Sequence, residues 1–152
     1  MIDFEQAEKF DALKTKILKY ILYKKRTEQE IRQKFKNEDE NMLEDAIEYL
    51  KEANYIDDEN YIEKAINEYI VLKNLSIKEI TFKLYQKGLD KSLVEDYICQ
   101  NKEKMLEYEI NSAKNIFMKK SKSLEEKEVR EYLYKKGYMR DAVDVAVEEG
   151  NV

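Results

Sequence analysis

Three consecutive acidic residues and a single thiol are the side chains with the most evident capacity for chemistry. Asp57, Asp58 and Glu59 could offer carboxylate oxygens to Mg²⁺. Asp58 also lies where a helix would need an N-cap, so helix capping is the favoured interpretation and a metal site is the alternative. Cys99 is the only cysteine, and we expect it to be a thiol in the core.

Other catalytic groups are missing from the sequence. The chain has no histidine, and its three glycines stand singly rather than in a phosphate-binding loop. No serine or cysteine has an evident base partner for nucleophilic chemistry. The sequence therefore predicts a protein without enzymatic activity, bound metal or cofactor.

Basic side chains form a stronger pattern than the acidic run. The chain has a net charge of −5, yet segment 9–36 carries +7 and segment 38–68 carries −10. Lysines and arginines recur at predicted helix ends and on the second helix of a repeat, where they could follow a polymer of repeating charge. The alternative for each is a solvated surface charge. The predicted partner-binding or DNA-binding residues are Lys24, Lys25, Arg26, Arg32, Lys34, Lys73, Lys83, Lys87, Lys119, Lys120, Arg130, Lys135 and Lys136.

The elements that would position these side chains are helices. The 152 residues include no proline, and apolar residues recur at helical spacing, as in Leu106, Ile110, Ala113 and Phe117. No apolar run is long enough to cross a bilayer, so we expect a cytoplasmic protein without membrane contact. The predicted helices cover 5–24, 27–36, 40–53, 58–73, 76–87, 91–101, 103–120, 124–136 and 140–149.

A period of 49 residues runs through the sequence. Segments 30–35, 79–84 and 128–133 are similar, and each begins 49 residues after the last. A lone three-helix unit of this size would be marginally stable, so neighbouring units should stabilise one another. We predict an all-α tandem array of three three-helix repeats, about nine helices, elongated and curved. The repeats would cover 1–55, 56–101 and 102–152.

Helix caps support this period. Three hydroxyl residues, each followed three positions later by glutamate, predict capping boxes at Thr27, Ser76 and Ser123. Two glycines follow lysine-rich helix ends and predict left-handed C′ positions at Gly88 and Gly137. We expect Asn37 to take that place in the first repeat.

Four ordered segments resemble the RecX family. They are 27–35 (TEQEIRQKF), 55–62 (YIDDENYI), 76–89 (SIKEITFKLYQKGL) and 133–138 (LYKKGY). The match covers nearly the whole chain with the spacing of that family. The resemblance implies a three-helix-repeat regulator that binds the RecA recombinase filament on single-stranded DNA.

Such a regulator would inhibit filament growth, ATP hydrolysis, strand exchange and coprotease activity, in DNA repair by homologous recombination and the SOS response. It would bind single-stranded DNA weakly by itself and act as a monomer. Two alternatives stay open at this point. One is a helix-turn-helix-like DNA-binding regulator, and the other is a helical-repeat scaffold for another protein.

Overall fold

The computed structural model describes residues 3–151, and all regular secondary structure among them is helical. No predicted helix boundary differs by more than two residues from the observed one, which confirms the all-α prediction for this part of the chain. The helices are α1 (Phe4–Tyr23), α2 (Glu28–Lys34), α3 (Glu40–Glu52), α4 (Asp58–Leu72), α5 (Ile77–Gln86), α6 (Lys91–Gln100), α7 (Lys102–Lys120), α8 (Glu126–Lys136) and α9 (Arg140–Gly150).

Two of the three predicted capping boxes are present. Thr27 Oγ1 accepts from the Glu30 amide at 3.1 Å, and the Thr27 amide donates to Glu30 Oε1 at 3.0 Å. Ser76 and Glu79 exchange the same two bonds, at 3.1 and 2.9 Å. Each box satisfies amides at a helix start that have no partner within the helix.

The third predicted box, at Ser123, is wrong. The residue before α8 is Glu125, which makes no side-chain cap hydrogen bond. Glu125 lies 49 residues after Ser76, so the period is kept while the hydroxyl is lost. Ser123 instead belongs to the turn after α7, where its amide donates to the Lys120 carbonyl at 3.1 Å.

Left-handed backbone occurs at the two predicted glycines, with φ of +82° at Gly88 and +100° at Gly137. The expectation for Asn37 is wrong, because the residue that ends α2 is Phe35, the C-cap after Lys34, with φ −106°, and no residue between α2 and α3 has a positive φ. Asn54 after α3 and Lys73 after α4 take positive φ instead, at 64° and 50°. Asparagine tolerates this conformation better than most residues with a side chain.

The chain divides into two compact units. Of the described residues, the first unit takes 3–61 with Lys87–Leu89, and the second takes Ile62–Gln86 with 90–151. The core of the first, where α1 packs on α3, comprises Leu13, Ile17, Ile31, Leu43, Ala46, Ile47, Leu50 and Ile56. The core of the second, where α7 packs on α9, comprises Ala113, Ile116, Phe117, Val129, Leu133, Tyr138, Val143, Ala146 and Val147. The division into repeats at 1–55, 56–101 and 102–152 stays a prediction.

The apolar stripe predicted on α7 is displaced. Leu106 is exposed, whereas Glu109 and Ser112 are buried on the core face together with Ala113 and Phe117. A pattern based on hydrophobicity fails here because two polar residues occupy the inner face. Glu109 and Ser112 are buried because they form hydrogen bonds to the start of α5 and to the segment before it in the same unit.

Cys99 lies near the end of α6 with an exposed side chain, so the prediction of a core thiol is wrong. The buried positions of that helix are supplied by Val94, with Leu93 and Ile98 half-buried. In the described part of the chain, no helix combines the length and the apolar character needed to cross a membrane.

Candidate functional site

A tertiary joint at the start of α2 fixes one of the predicted binding lysines in the first unit. Thr27 Oγ1 donates a hydrogen bond of 2.7 Å to the Lys87 carbonyl oxygen, directly before Gly88. The Lys87 ammonium lies 3.8 Å from Glu30 Oε2. A Cβ on Gly88 would be 2.4 Å from Gln29 Cβ, so only glycine permits this approach.

The second unit contains the same joint at the start of α5. Ser76 Oγ donates to the Lys136 carbonyl oxygen at 2.7 Å, and Lys136 Nζ lies 3.1 Å from Glu79 Oε2. A Cβ on Gly137 would be 2.9 Å from the Lys78 side chain. The 49-residue period thus repeats a tertiary contact as well as a helix pattern. Lys87 and Lys136 are half-buried parts of these joints.

Carboxylates reinforce both helix starts. Asp58 Oδ1 accepts from the Glu28 amide at 3.0 Å, and Glu109 Oε1 accepts from the Ile77 amide at 3.1 Å. Burial raises the pKa of both carboxyl groups. Negative charge at a helix N-terminus is favourable, which offsets part of the cost of this burial.

The acidic run proposed as a metal alternative is engaged in structure instead. Asp57, and not Asp58, caps α4, because Asp57 Oδ1 accepts from the Asn60 amide at 3.0 Å. Asp58 is the first residue of α4 and its side chain bonds to Glu28. The N-cap prediction for Asp58 is therefore wrong by one position. Glu59 is exposed.

Glu109 is a buried group that the sequence analysis missed. Its side chain is fully buried, and Oε2 finds no hydrogen-bond partner among the described residues. Hydroxyls surround the same region: Tyr108 donates to the Leu75 carbonyl at 2.6 Å, and Ser112 and Tyr138 share a hydrogen bond of 2.5 Å. Burial also raises the pKa of Tyr138. This polar cluster joins α7 to the segments before α5 and α9.

Two of the basic residues predicted in the first unit lie over one aromatic ring. The Arg26 guanidinium lies 4.1 Å from the centre of the Tyr20 ring, and Lys34 Nζ lies 5.8 Å from it. The Lys25 ammonium donates to Asn60 Oδ1. Lys24 is exposed at the end of α1. The structure therefore brings Arg26 and Lys34 together, which spacing alone did not indicate.

The two predicted arginines on second helices are held in ion pairs. Arg32 donates to both carboxylate oxygens of Glu44, at 2.7 and 3.0 Å, and also to Glu28 at 3.1 Å. Arg130 lies 2.6 Å from Asp144 and 3.4 Å from Glu126. These carboxylates raise the pKa of both guanidinium groups. Their charge is largely compensated before any ligand arrives.

An open groove in the second unit brings together three other predicted residues: Lys83, Lys135 and Lys136. The cavity measures about 520 Å³ and is also lined by Lys78 and Phe82. Phe82 is 61% exposed, which is unusual for a phenyl ring of a folded domain. The sequence pattern did not indicate Lys78 and Phe82, because only the fold shows that they line the same cavity as the predicted lysines.

The remaining predicted lysines are not part of this groove lining. Lys120 Nζ is 4.6 Å from the centre of the Tyr132 ring, and Lys119 is exposed beside it in sequence. Lys73 is exposed in the left-handed residue after α4, and its carbonyl accepts from Asn115 Nδ2 at 3.1 Å. Lys136 Nζ lies 6.0 Å from the centre of the same Tyr132 ring, so Lys120 and the groove residue Lys136 share one aromatic contact.

Sequence comparisons identify relatives with one shared name. The chain is 42% identical to the Regulatory protein RecX of Finegoldia magna over 83 residues, which is 53% of this chain and 40% of that protein. It is 32% identical to the Regulatory protein RecX of Staphylococcus haemolyticus over 98% of this chain and 59% of that protein. The chain thus spans about two fifths to three fifths of the length of these relatives. No protein-family model matches it.

Comparison with solved structures shows the same fold. A crystal structure of RecX from Lactobacillus salivarius superposes with a TM-score of 0.80, covering 95% of this chain and 98% of that one at 22% identity. The all-α architecture is therefore shared by proteins whose sequences have diverged considerably. With sequence similarity along nearly its whole length to several proteins of one name, the chain belongs to the RecX family.

Proposed function

We propose that the chain is a regulator that binds the filament formed by the RecA recombinase on single-stranded DNA. It inhibits filament growth and thereby ATP hydrolysis, strand exchange and coprotease activity. It acts without catalysis, as a monomer in the cytoplasm, and binds single-stranded DNA weakly by itself. The observation that carries the proposal is sequence similarity to relatives named Regulatory protein RecX along almost the whole chain.

The repeated joints support this kind of partner. Thr27 and Ser76 make the same tertiary bond in the two units, 49 residues apart, so similar backbone and lysine groups recur along the chain. A filament presents one surface at regular intervals. Several weak contacts to such a partner add up to a high overall affinity without any catalytic group.

The helix-turn-helix alternative has less support. It requires side chains on the second helices that can read base edges, and arginine is the residue best suited to that task. Arg32 and Arg130 are the arginines on α2 and α8, and both are paired with carboxylates. A plain scaffold, in turn, would not need a groove lined by lysines and an exposed phenyl ring. We therefore propose neither alternative.

ATP hydrolysis by RecA on circular single-stranded DNA tests the proposal. The chain is added in increasing amounts to a fixed concentration of preassembled RecA, and hydrolysis is followed over time. We expect the rate to fall at about one chain per several RecA protomers, because one bound regulator affects its neighbours in a filament. An unchanged rate at equimolar chain and RecA would contradict the proposal.

A further inference from the structure

The groove beside α5 contains side chains that the contact between Ser76 and Lys136 does not require. Ser76, Glu79 and Lys136 form that joint, and Thr27, Glu30 and Lys87 form the equivalent one in the first unit. The positions 49 residues before Lys78 and Phe82 are Gln29 and Gln33. The first joint is therefore built without either a lysine or a phenyl ring at these positions.

Charge in this groove is unbalanced. Four lysines and one glutamate line it, a net charge of +3 in a chain of −5. Glu79 is already engaged on both oxygens, with the Ser76 amide at 2.9 Å and Lys136 Nζ at 3.1 Å. No acidic side chain described in this unit lies within ion-pair distance of Lys78, Lys83 or Lys135.

The joint holds this surface in place. The Ser76 hydroxyl fixes the carbonyl of Lys136, and Glu79 fixes its ammonium, so the end of α8 is held beside α5. The stem of Lys78 lies against Gly137, where a Cβ would be only 3.0 Å from Lys78 Cβ. The two helices that carry the groove lysines are thus held side by side before a ligand binds, which lowers the entropic cost of binding.

We infer that this groove, lined by Lys78, Phe82, Lys83 and Lys135, is a binding site for single-stranded nucleic acid. The inference deepens the proposed function and rests on it for the biological role of the strand. The lysines neutralise phosphates, and Phe82 offers its exposed face to an unpaired base. In a duplex the bases are already stacked on one another, so a ring in a groove favours a single strand.

The size of the cavity agrees with this ligand. A volume of about 520 Å³ lies within the range of about 300–1,000 Å³ that is usual for sites of small organic groups such as a nucleotide. Tyr85, which also lines the groove and is half-buried, supplies a second aromatic wall. The site would hold one part of a strand whose remaining phosphates continue into solvent.

Fluorescence anisotropy with a fluorescein-labelled oligo(dT) of about 15 nucleotides tests the inference. Affinity is measured against salt for the wild type, the double variant Lys83→Gln with Lys135→Gln, and Phe82→Leu. The matched control is Lys64→Gln with Lys102→Gln, two exposed lysines of the same unit outside the groove. All of these side chains are exposed, and circular dichroism checks that each variant keeps its helices.

The two kinds of variant should differ in their response to salt. Each lost phosphate contact removes about 0.7 from the slope of log affinity against log salt, so the lysine double variant should flatten it by about 1.4. Phe82→Leu should lower affinity at least about fivefold with an unchanged slope, because a leucine cannot stack on a base. The control should match the wild type in both quantities.

Three results would overturn the inference. They are no binding of oligo(dT) by the wild type at low salt, groove variants that behave as the control does, and tighter binding of a labelled oligoglutamate peptide than of oligo(dT). RecA ATP hydrolysis separates this inference from the proposed function. If the wild type inhibits RecA but the groove variants bind oligo(dT) normally, the groove is not the binding site and the proposed function stands. If oligo(dT) binds in the groove but RecA is not inhibited, the binding site stands and the proposed function is wrong.

Discussion

The Ser76 hydroxyl donates to the Lys136 carbonyl oxygen at 2.7 Å, over 60 residues of sequence. Ser76 Oγ also accepts from the Glu79 amide, so one buried side chain both caps α5 and fixes the end of α8. Thr27 does the same for α2 and Lys87, again over 60 residues. A hydroxyl group is the smallest group that can accept and donate in this way.

Ser76→Ala should therefore destabilise the protein by about 2 kcal/mol, because it removes a cap and leaves the partly buried Lys136 carbonyl without this donor. Ser76→Thr should retain most of the stability, since threonine makes both bonds at position 27. Urea unfolding measures the free energy of both variants. Ser123→Ala is the control, because Ser123 is exposed and caps no helix. A loss in Ser76→Ala no larger than in that control would contradict the joint.

Gly88→Ala should lower the free energy of unfolding by more than about 1 kcal/mol. Its φ of +82° strains any side chain, and a Cβ there would lie 2.4 Å from Gln29 Cβ. Lys87→Ala, at the neighbouring position, removes only a partly exposed ion pair of 3.8 Å and should cost less than about 1 kcal/mol. Thermal unfolding of the two variants side by side makes the comparison. Equal melting temperatures would show that this glycine is not required.

Glu109 should make stability depend on pH. Burial raises the pKa of its carboxyl group, so the folded state favours the protonated form. Stability is then fully retained below the ordinary glutamate pKa, and is lost as pH rises through the raised folded value. Glu109→Gln has no such ionisation. We expect its stability relative to the wild type to increase from about pH 4 to about pH 8 in urea unfolding.

The matched control for this pH series is Glu107→Gln, two residues away on α7 with an exposed side chain. Asp58 is present in all three proteins, so its contribution cancels from each comparison. A relative stability of Glu109→Gln that stays flat across this range, or an equal trend in Glu107→Gln, would contradict a raised pKa for the buried Glu109 carboxyl group.

Arg32→Gln should leave the affinity for oligo(dT) nearly unchanged. The guanidinium is engaged by Glu28 and Glu44, and these contacts lie at the surface, so their loss should cost less than about 1 kcal/mol of stability. Lys83→Gln on α5 is the matched variant, because Lys83 is exposed and lines the groove. Fluorescence anisotropy should show weaker binding for Lys83→Gln. A larger loss of DNA affinity in Arg32→Gln would show that this arginine contacts DNA.

Local chemistry explains what the sequence could reveal. The boxes at Thr27 and Ser76 and the left-handed glycines at 88 and 137 act within four residues of chain, so their patterns are readable one helix at a time. That the hydroxyls also bind carbonyls 60 residues away is a tertiary fact. Nothing in the spacing of single helices encodes it.

The wrong predictions also result from contacts between segments that are distant in sequence. The stripe predicted on α7 assumed an apolar inner face, but Glu109 and Ser112 are buried because they bond to other segments. The sequence pattern indicates a free cation at Arg32, whereas in the fold Glu44 lies 2.7 Å from its guanidinium. For the groove, Lys83, Lys135 and Lys136 were predicted from recurring charge, whereas the role of Phe82 depends on which face of α5 stays open.

Binding to RecA filaments compared with binding to bare DNA tests the central proposal most directly. Equilibrium affinity is measured at several salt concentrations for oligo(dT) alone and for RecA assembled on the same strand. We expect tighter binding to the filament at every concentration, with a shallower salt dependence, because protein contacts persist when ionic contacts are screened. Equal affinity and equal salt slope for the two targets would contradict a regulator of the RecA filament and indicate a DNA-binding protein.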